Sequence, residues 1–98
     1  MKSQFKLIWT DKAANDLRQI LSFIQYDKLS AATAFVKKIK KGVEKLRKYP
    51  QLGRIVPELC RKDIREIIVK NYRVVYKTDE KKIIIITIFE GHKEFNSL

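Results

Sequence analysis

Tyr49-Pro50-Gln51-Leu52-Gly53-Arg54, then Arg65-Glu66-Ile67, then Asn71-Tyr72-Arg73-Val74-Val75-Tyr76: these three runs decide how the chain is organised. Proline cannot donate a helical hydrogen bond, so Pro50 ends whatever helix precedes it. Gly53 and Pro57 punctuate a loop from Tyr49 to about Asp63. In that loop Gly53 is expected to adopt an unusual backbone angle and Leu52 to plug the core. Beyond it, β-branched and aromatic residues alternate with arginines, which is the pattern of strands. The stretch therefore leaves a helix, turns, and enters a β-hairpin that carries arginines.

Upstream, apolar residues recur at helical spacing. Ala14, Leu17, Leu21 and Ile24, widened by Ala13 and Ile20, give an apolar stripe on a helix from about Asp11 to Asp27. Thr10 is its expected N-cap, with Asp11 complementing the helix dipole. A second helix is expected from about Ala31 to Lys48, capped by Ser30, with Ala32, Phe35, Val36, Ile39, Val43 and Leu46 buried. Lys37, Lys38, Lys40, Lys41, Lys45 and Lys48 spread over its other side. Gly42 is expected to mark close packing against the first helix. Phe5 to Trp9 reads as an initial strand.

Downstream, Ile64 to Val69 pairs by hairpin with Arg73 to Thr78, and a second hairpin turns at Asp79-Glu80-Lys81. The run from Lys82 to Phe89 is nearly continuous in apolar residues, which places it inside a sheet and covered on both faces. A short polar tail, Glu90 to Leu98, follows. The expected fold class is α+β in the order β-α-α-β-β-β: an N-terminal strand, a helical hairpin, and a three-stranded antiparallel meander. The helices cover one face of a mostly antiparallel sheet. The other face is expected to be free to hold charged residues. Residues 1–98 are read as one domain, because a chain of this length builds one core.

Charge narrows the partners. Twenty-two Lys and Arg, sixteen of them lysine, against 11 Asp and Glu give +11. Such a field favours nucleic acid, an acidic protein or another anionic surface, although a lysine coat also serves solubility. One cysteine, Cys60, excludes an internal disulfide and fits a reducing cytoplasm. No apolar run has the length of a membrane span, and no signal-peptide pattern opens the chain.

The usual catalytic signatures are absent. There is no phosphate-binding Gly-rich loop and no nucleophile elbow. With one His and one Cys there is no metal-ligand spacing, so neither metal nor cofactor is expected. What remains is a cationic and aromatic group: Arg54, Arg65, Lys70, Tyr72, Arg73, Tyr76, His92 and Lys93. Arginines on a sheet can grip phosphates or carboxylates with forked hydrogen bonds; equally, Arg65 and Arg73 can pair with Glu66 or Glu44. Tyr72 and Tyr76 can stack on bases, or bury a ring and keep a wet hydroxyl. His92 can serve as acid or base, or simply be solvated. The lysines of the second helix can follow a phosphate backbone or form a solvated face.

Along nearly its whole length the chain resembles the ParE-like branch of the ParE/RelE superfamily of bacterial type II toxins. The matching positions are Trp9-Thr10 with Ala13, Asp16 and Leu17; Ala31 to Phe35; Tyr49 to Arg54; Arg65-Glu66; Asn71 to Tyr76; and the closing apolar strand. The resemblance implies a toxin encoded beside an antitoxin whose acidic, partly disordered tail wraps and neutralises it. For the ParE-like branch it implies inhibition of DNA gyrase by binding, without chemistry of the toxin's own. Arg65, Arg73, His92 and Lys93 would then face the target. A RelE-like chain would instead be an endoribonuclease cutting mRNA on the ribosome, with Arg73 and Lys93 stabilising phosphate charge and His92 as acid or base. The C-terminal run Gly91 to Leu98 has no arginine and no tyrosine, which departs from the RelE-like pattern. Lys93 stands where ParE-like chains often carry an arginine. A third reading is a basic binding module without toxicity.

Overall fold

Thr10 organises both the first helix and the sheet beneath it. Its side chain accepts a hydrogen bond from the Ala13 amide at 3.1 Å and donates to the Ile85 carbonyl at 2.8 Å. One residue thus caps α1 (Asp11–Asp27) and ties it to the sheet. The structure, a computed structural model, describes residues 4–93. Before Thr10 lies β1 (Lys6–Trp9), and after α1 comes α2 (Leu29–Leu46). The remaining elements are β2 (Arg54–Ile55), β3 (Ile64–Val69), β4 (Tyr72–Asp79) and β5 (Lys82–Glu90). The α+β order expected from the sequence holds, with one added strand.

The helices are joined by Lys28 alone, whose extended backbone breaks the helical run. Ser30 is therefore not the cap of α2. It sits inside the first turn, and the capping residue, Lys28, supplies no side-chain hydrogen bond. Gly42 faces the sheet rather than α1: a Cβ there would meet Ile67 Cδ1 at 3.2 Å and Val69 Cγ2 at 3.6 Å. Close approach is still its role, but the partner is β3.

The sheet order is β1-β5-β4-β3-β2. β1 runs parallel to β5, with Lys6 beside Lys82 and Trp9 beside Ile85; all other pairs are antiparallel. The apolar β5 is thus an interior strand, as its composition demands. Past Trp9 the edge of β5 is covered by α1, where the Asp16 carboxylate accepts hydrogen bonds from the Ile88 amide and the Thr87 hydroxyl. The β4–β5 turn puts Glu80 and Lys81 both in the left-handed region, as a two-residue hairpin loop of right twist requires.

Two cores result. The larger lies between helices and sheet and is built on Ala13, Phe35, Ile39, Val43, Leu46, Val74, Tyr76, Ile83 and Ile85. The second face of the sheet is not the free charged surface expected. The loop after β2 folds over it, so that Val56, Ile64 and Val75 form a small core flanked by Leu59, Ile86 and Phe89. Leu52, expected as a plug, is about half exposed.

Candidate functional site

The runs Tyr49 to Arg54, Arg65 to Ile67 and Asn71 to Tyr76 meet at two buried side chains, Tyr76 and Glu66. Tyr76 is fully enclosed; its hydroxyl donates to the Pro50 carbonyl at 2.7 Å and accepts from the Gly53 amide at 2.9 Å. Burial, the largest influence, raises its pKa. The loop turns tightly here because Gly53 has no side chain: a Cβ would lie 2.6 Å from the Glu66 carbonyl oxygen and 2.7 Å from the Tyr76 hydroxyl. Its φ is not positive, so close approach, and not an unusual backbone angle, is what requires glycine. Tyr76 is thus a clasp for the loop and has no face free for a base.

Adjacent residues of β3 point to opposite faces. Arg65 lies toward the helices, half-buried, and donates to the Gly53 carbonyl at 3.0 Å. Glu66 points to the second face and is enclosed at 1% exposure. One of its carboxylate oxygens accepts from Arg54 at 2.6 Å and the other from Arg73 at 2.7 Å. Arg73 in turn grips Glu58 with both terminal nitrogens, at 2.8 and 2.7 Å. A chain Arg54–Glu66–Arg73–Glu58 therefore runs across this face, with the Arg73 guanidinium also lying 4.9 Å from the Phe89 ring centroid. Its hydrogen bonds to Glu58 first, and then to Glu66, outweigh burial and keep Arg73 more firmly protonated than an ordinary arginine.

Arg73, expected to face a target, is enclosed in the fold. It is only 4% exposed, and its donors are committed to two carboxylates. The pairing with Glu66 that the sequence offered as the alternative is the one realised; Glu44 pairs with Arg47 instead. One more Arg73 donor reaches the Lys93 carbonyl at 3.0 Å. Together with the bond from the Gly91 amide to the Asn71 carbonyl at 2.6 Å, it folds the turn Gly91-His92-Lys93 back over the start of β4. Arg73, His92 and Lys93 are thus brought together at one end of the sheet, while Arg65 is held on the opposite face beside the loop.

His92 and Lys93 are exposed on that turn. The His92 imidazole is 74% exposed and lies 3.0 Å from the Glu90 carboxylate. Residues 94–98, the rest of the expected tail, lie outside the described residues. Tyr72 borders a groove with Phe23, Ile20, Phe89 and Lys93; its ring packs against Phe35 with centroids 5.1 Å apart. Burial, helped by the Glu90 charge, raises the Tyr72 pKa. Arg54 is the most exposed member of the ion-pair chain, at 59% of its side chain.

Sequence reasoning missed Glu58, whose loop position gives no signal before the loop is known to fold over the sheet. Among the described residues no group of three or more His, Cys, Asp or Glu is placed to hold a metal ion. No helix among them is long and apolar enough to cross a membrane.

These features define a class: a small basic α+β protein with a helical hairpin on one face, a loop clasped to the other, and an outward turn anchored by a buried arginine. Solved structures share the fold. One, titled "Chromosomal ParDE TA system from P. aeruginosa", superposes with a TM-score of 0.73 at 23% identity, covering 89% of this chain and 96% of that one. No curated protein matches the sequence. The profile of the family described as "ParE toxin of type II toxin-antitoxin system, parDE" matches residues 7–95, and the chain belongs to that family.

Proposed function

We propose that this ParE-family toxin acts by binding and inhibiting DNA gyrase in the cytoplasm, and that a cognate antitoxin with an acidic, partly disordered segment neutralises it. The observation that carries this reading is the commitment of Arg73. Stabilising a phosphorane needs cationic donors aimed at the phosphate. Here the donors of Arg73 are taken by Glu58, Glu66 and the Lys93 carbonyl, which makes it a support for the outward turn. His92 and Lys93 would touch the target, and Arg73 would position them. Arg65, Arg54 and Tyr76 would hold the loop, and Tyr72 would shape the groove beside the turn.

Antitoxin contact has its own support. Phe23, Tyr26 and Leu29 are exposed at the helical hairpin, and Leu52 and Ile68 near β3. Apolar side chains of this size in water suit a partner that folds as it binds. The +11 charge suits an acidic one.

The RelE-like reading is retained for one reason: the Glu90–His92 pair is a carboxylate beside an exposed imidazole, the composition of an acid–base couple. Pulse-labelling within minutes of induction separates the two. Early loss of thymidine incorporation with methionine incorporation continuing is expected. An immediate stop in translation with replication intact would overturn the gyrase reading. Indifference of both pathways would leave a binding module without toxicity.

A further inference from the structure

The helical face that the toxin reading leaves unused is the outer side of α2. Lys37, Lys38, Lys40, Lys41 and Lys45 are all exposed there. At about 100° per residue, Lys37, Lys38, Lys41 and Lys45 fall within an arc of about 100°, roughly opposite the buried Phe35, Ile39, Val43 and Leu46. They cover about 12 Å of helix at a rise of about 1.5 Å per residue. Glu44 is the one carboxylate on α2, and it is engaged by Arg47 at 2.8 Å. Among the described residues, no ion pair involves any of the five lysines. The face is a row of unneutralised ammonium groups on a rigid rod.

We infer that this face binds the phosphate backbone of duplex DNA without sequence preference. Three features select that occupant. An acidic peptide that folds on binding needs apolar anchors, but between Lys37 and Lys45 the helix itself exposes only lysines and Glu44. The exposed Leu29 lies about two turns before Lys37, and of these lysines only Lys45 lines the groove of Leu52 and Ile68. Single-stranded nucleic acid is held by aromatic stacking platforms, and this face has no aromatic residue. A straight helix meets a regular row of phosphates on a duplex, and the major groove of B-form DNA, unlike that of A-form RNA, is wide enough to admit it. Lysine supplies point charges that neutralise phosphates and release counterions, with no base readout. The contact is independent of the identity of the toxin's target, so its failure would leave the pulse-labelling result standing.

The test is fluorescence anisotropy of the full chain on a labelled 20-base-pair duplex of arbitrary sequence, between 50 and 200 mM NaCl. Four phosphate contacts give a slope of about −4 in log K against log salt. The variant Lys37→Gln/Lys38→Gln/Lys41→Gln/Lys45→Gln is expected to remove most of that slope. A charge-matched control with Lys6, Lys62, Lys70 and Lys82, all exposed elsewhere, changed to Gln is expected to keep it. Equal losses in both variants would mean that net charge alone is responsible and would overturn the inference. So would tighter binding to a single strand of equal length, or displacement of the duplex by polyglutamate at equal charge concentration.

Discussion

Replacing Arg73 by Met tests the ion-pair chain most directly. Methionine preserves much of the aliphatic stem but removes the cation that lies between Glu66 and Glu58 and over the Phe89 ring. The Glu66 side chain is 0% exposed, so its charge would be left with Arg54 as its remaining ion-pair partner. Removing one partner of a buried pair costs about 3–5 kcal/mol. The lower end applies here, because Arg54 still touches Glu66 and the Glu58 side chain keeps 19% exposure. A loss of about 3 kcal/mol in a domain of this size lowers Tm by about 12–24 °C. Thermal unfolding followed by circular dichroism measures it. The double variant Glu66→Gln/Arg73→Met, which removes the stranded charge as well, is expected to recover part of the loss. A drop below about 5 °C in the single variant (about 1 kcal/mol) would refute the claim that the chain is a buried electrostatic unit. Full stability with abolished toxicity would instead place Arg73 in direct contact with the target.

Three further outcomes follow from the loop and the helix. Tyr76→Phe leaves the Gly53 amide and Pro50 carbonyl without their partner and costs about 1–3 kcal/mol by urea titration. Burial raises the Tyr76 pKa above its value in the unfolded chain, so its contribution is complete below about pH 10 and is lost as pH rises through the folded value. The wild type should therefore lose stability more steeply above pH 10 than the Phe variant, and parallel curves would contradict this. Gly53→Ala forces a methyl against backbone and hydroxyl oxygens and destabilises by about 1–3 kcal/mol or more; an unchanged denaturation midpoint would show that the loop is not held this tightly. Gly42→Ala has the opposite sign. Its nearest neighbour is the flexible end of Ile67, so the helical gain of about 0.5–1 kcal/mol is expected to appear as a higher Tm, and a lower Tm would mean that Ile67 cannot move aside.

Legibility in the sequence followed the range of the interactions. The bounds of α1 were readable because Thr10 caps it locally and its apolar period is regular. The sequence places the start of α2 two residues late, at Ala31, although the helix resumes directly after Lys28. The break comes from the extended backbone of Lys28, while Ser30 two residues later carried the stronger capping chemistry. β2 is two residues long, too short for any alternation, and exists only because β3 offers it an edge. Gly53 stood out in the sequence, but its reason, the approach of Glu66 and Tyr76, lies in residues 13 and 23 positions away. The same distance hid the ion-pair chain. Glu66 was visible as a neighbour of Arg65, whereas Glu58 enters only when Val56 and Leu59 carry their loop over the second face. The cationic group at Arg73, His92 and Lys93 was found by residue type, and only the structure distinguishes the enclosed arginine from the two exposed residues.

The pairing of β1 with β5 also governs when the molecule can exist. Lys6 to Trp9 find their partners in Lys82 to Ile85, separated by 76 positions, and Thr10 bonds to Ile85 at a separation of 75. During synthesis the first strand leaves the ribosome early and waits for the last. At about 5–20 residues per second, that interval is about 4–15 s. Until it ends, the edge of β1 is unpaired and α1 lacks the sheet that anchors its cap. A nascent chain therefore cannot present the assembled surface described above until β5 has emerged beside β1.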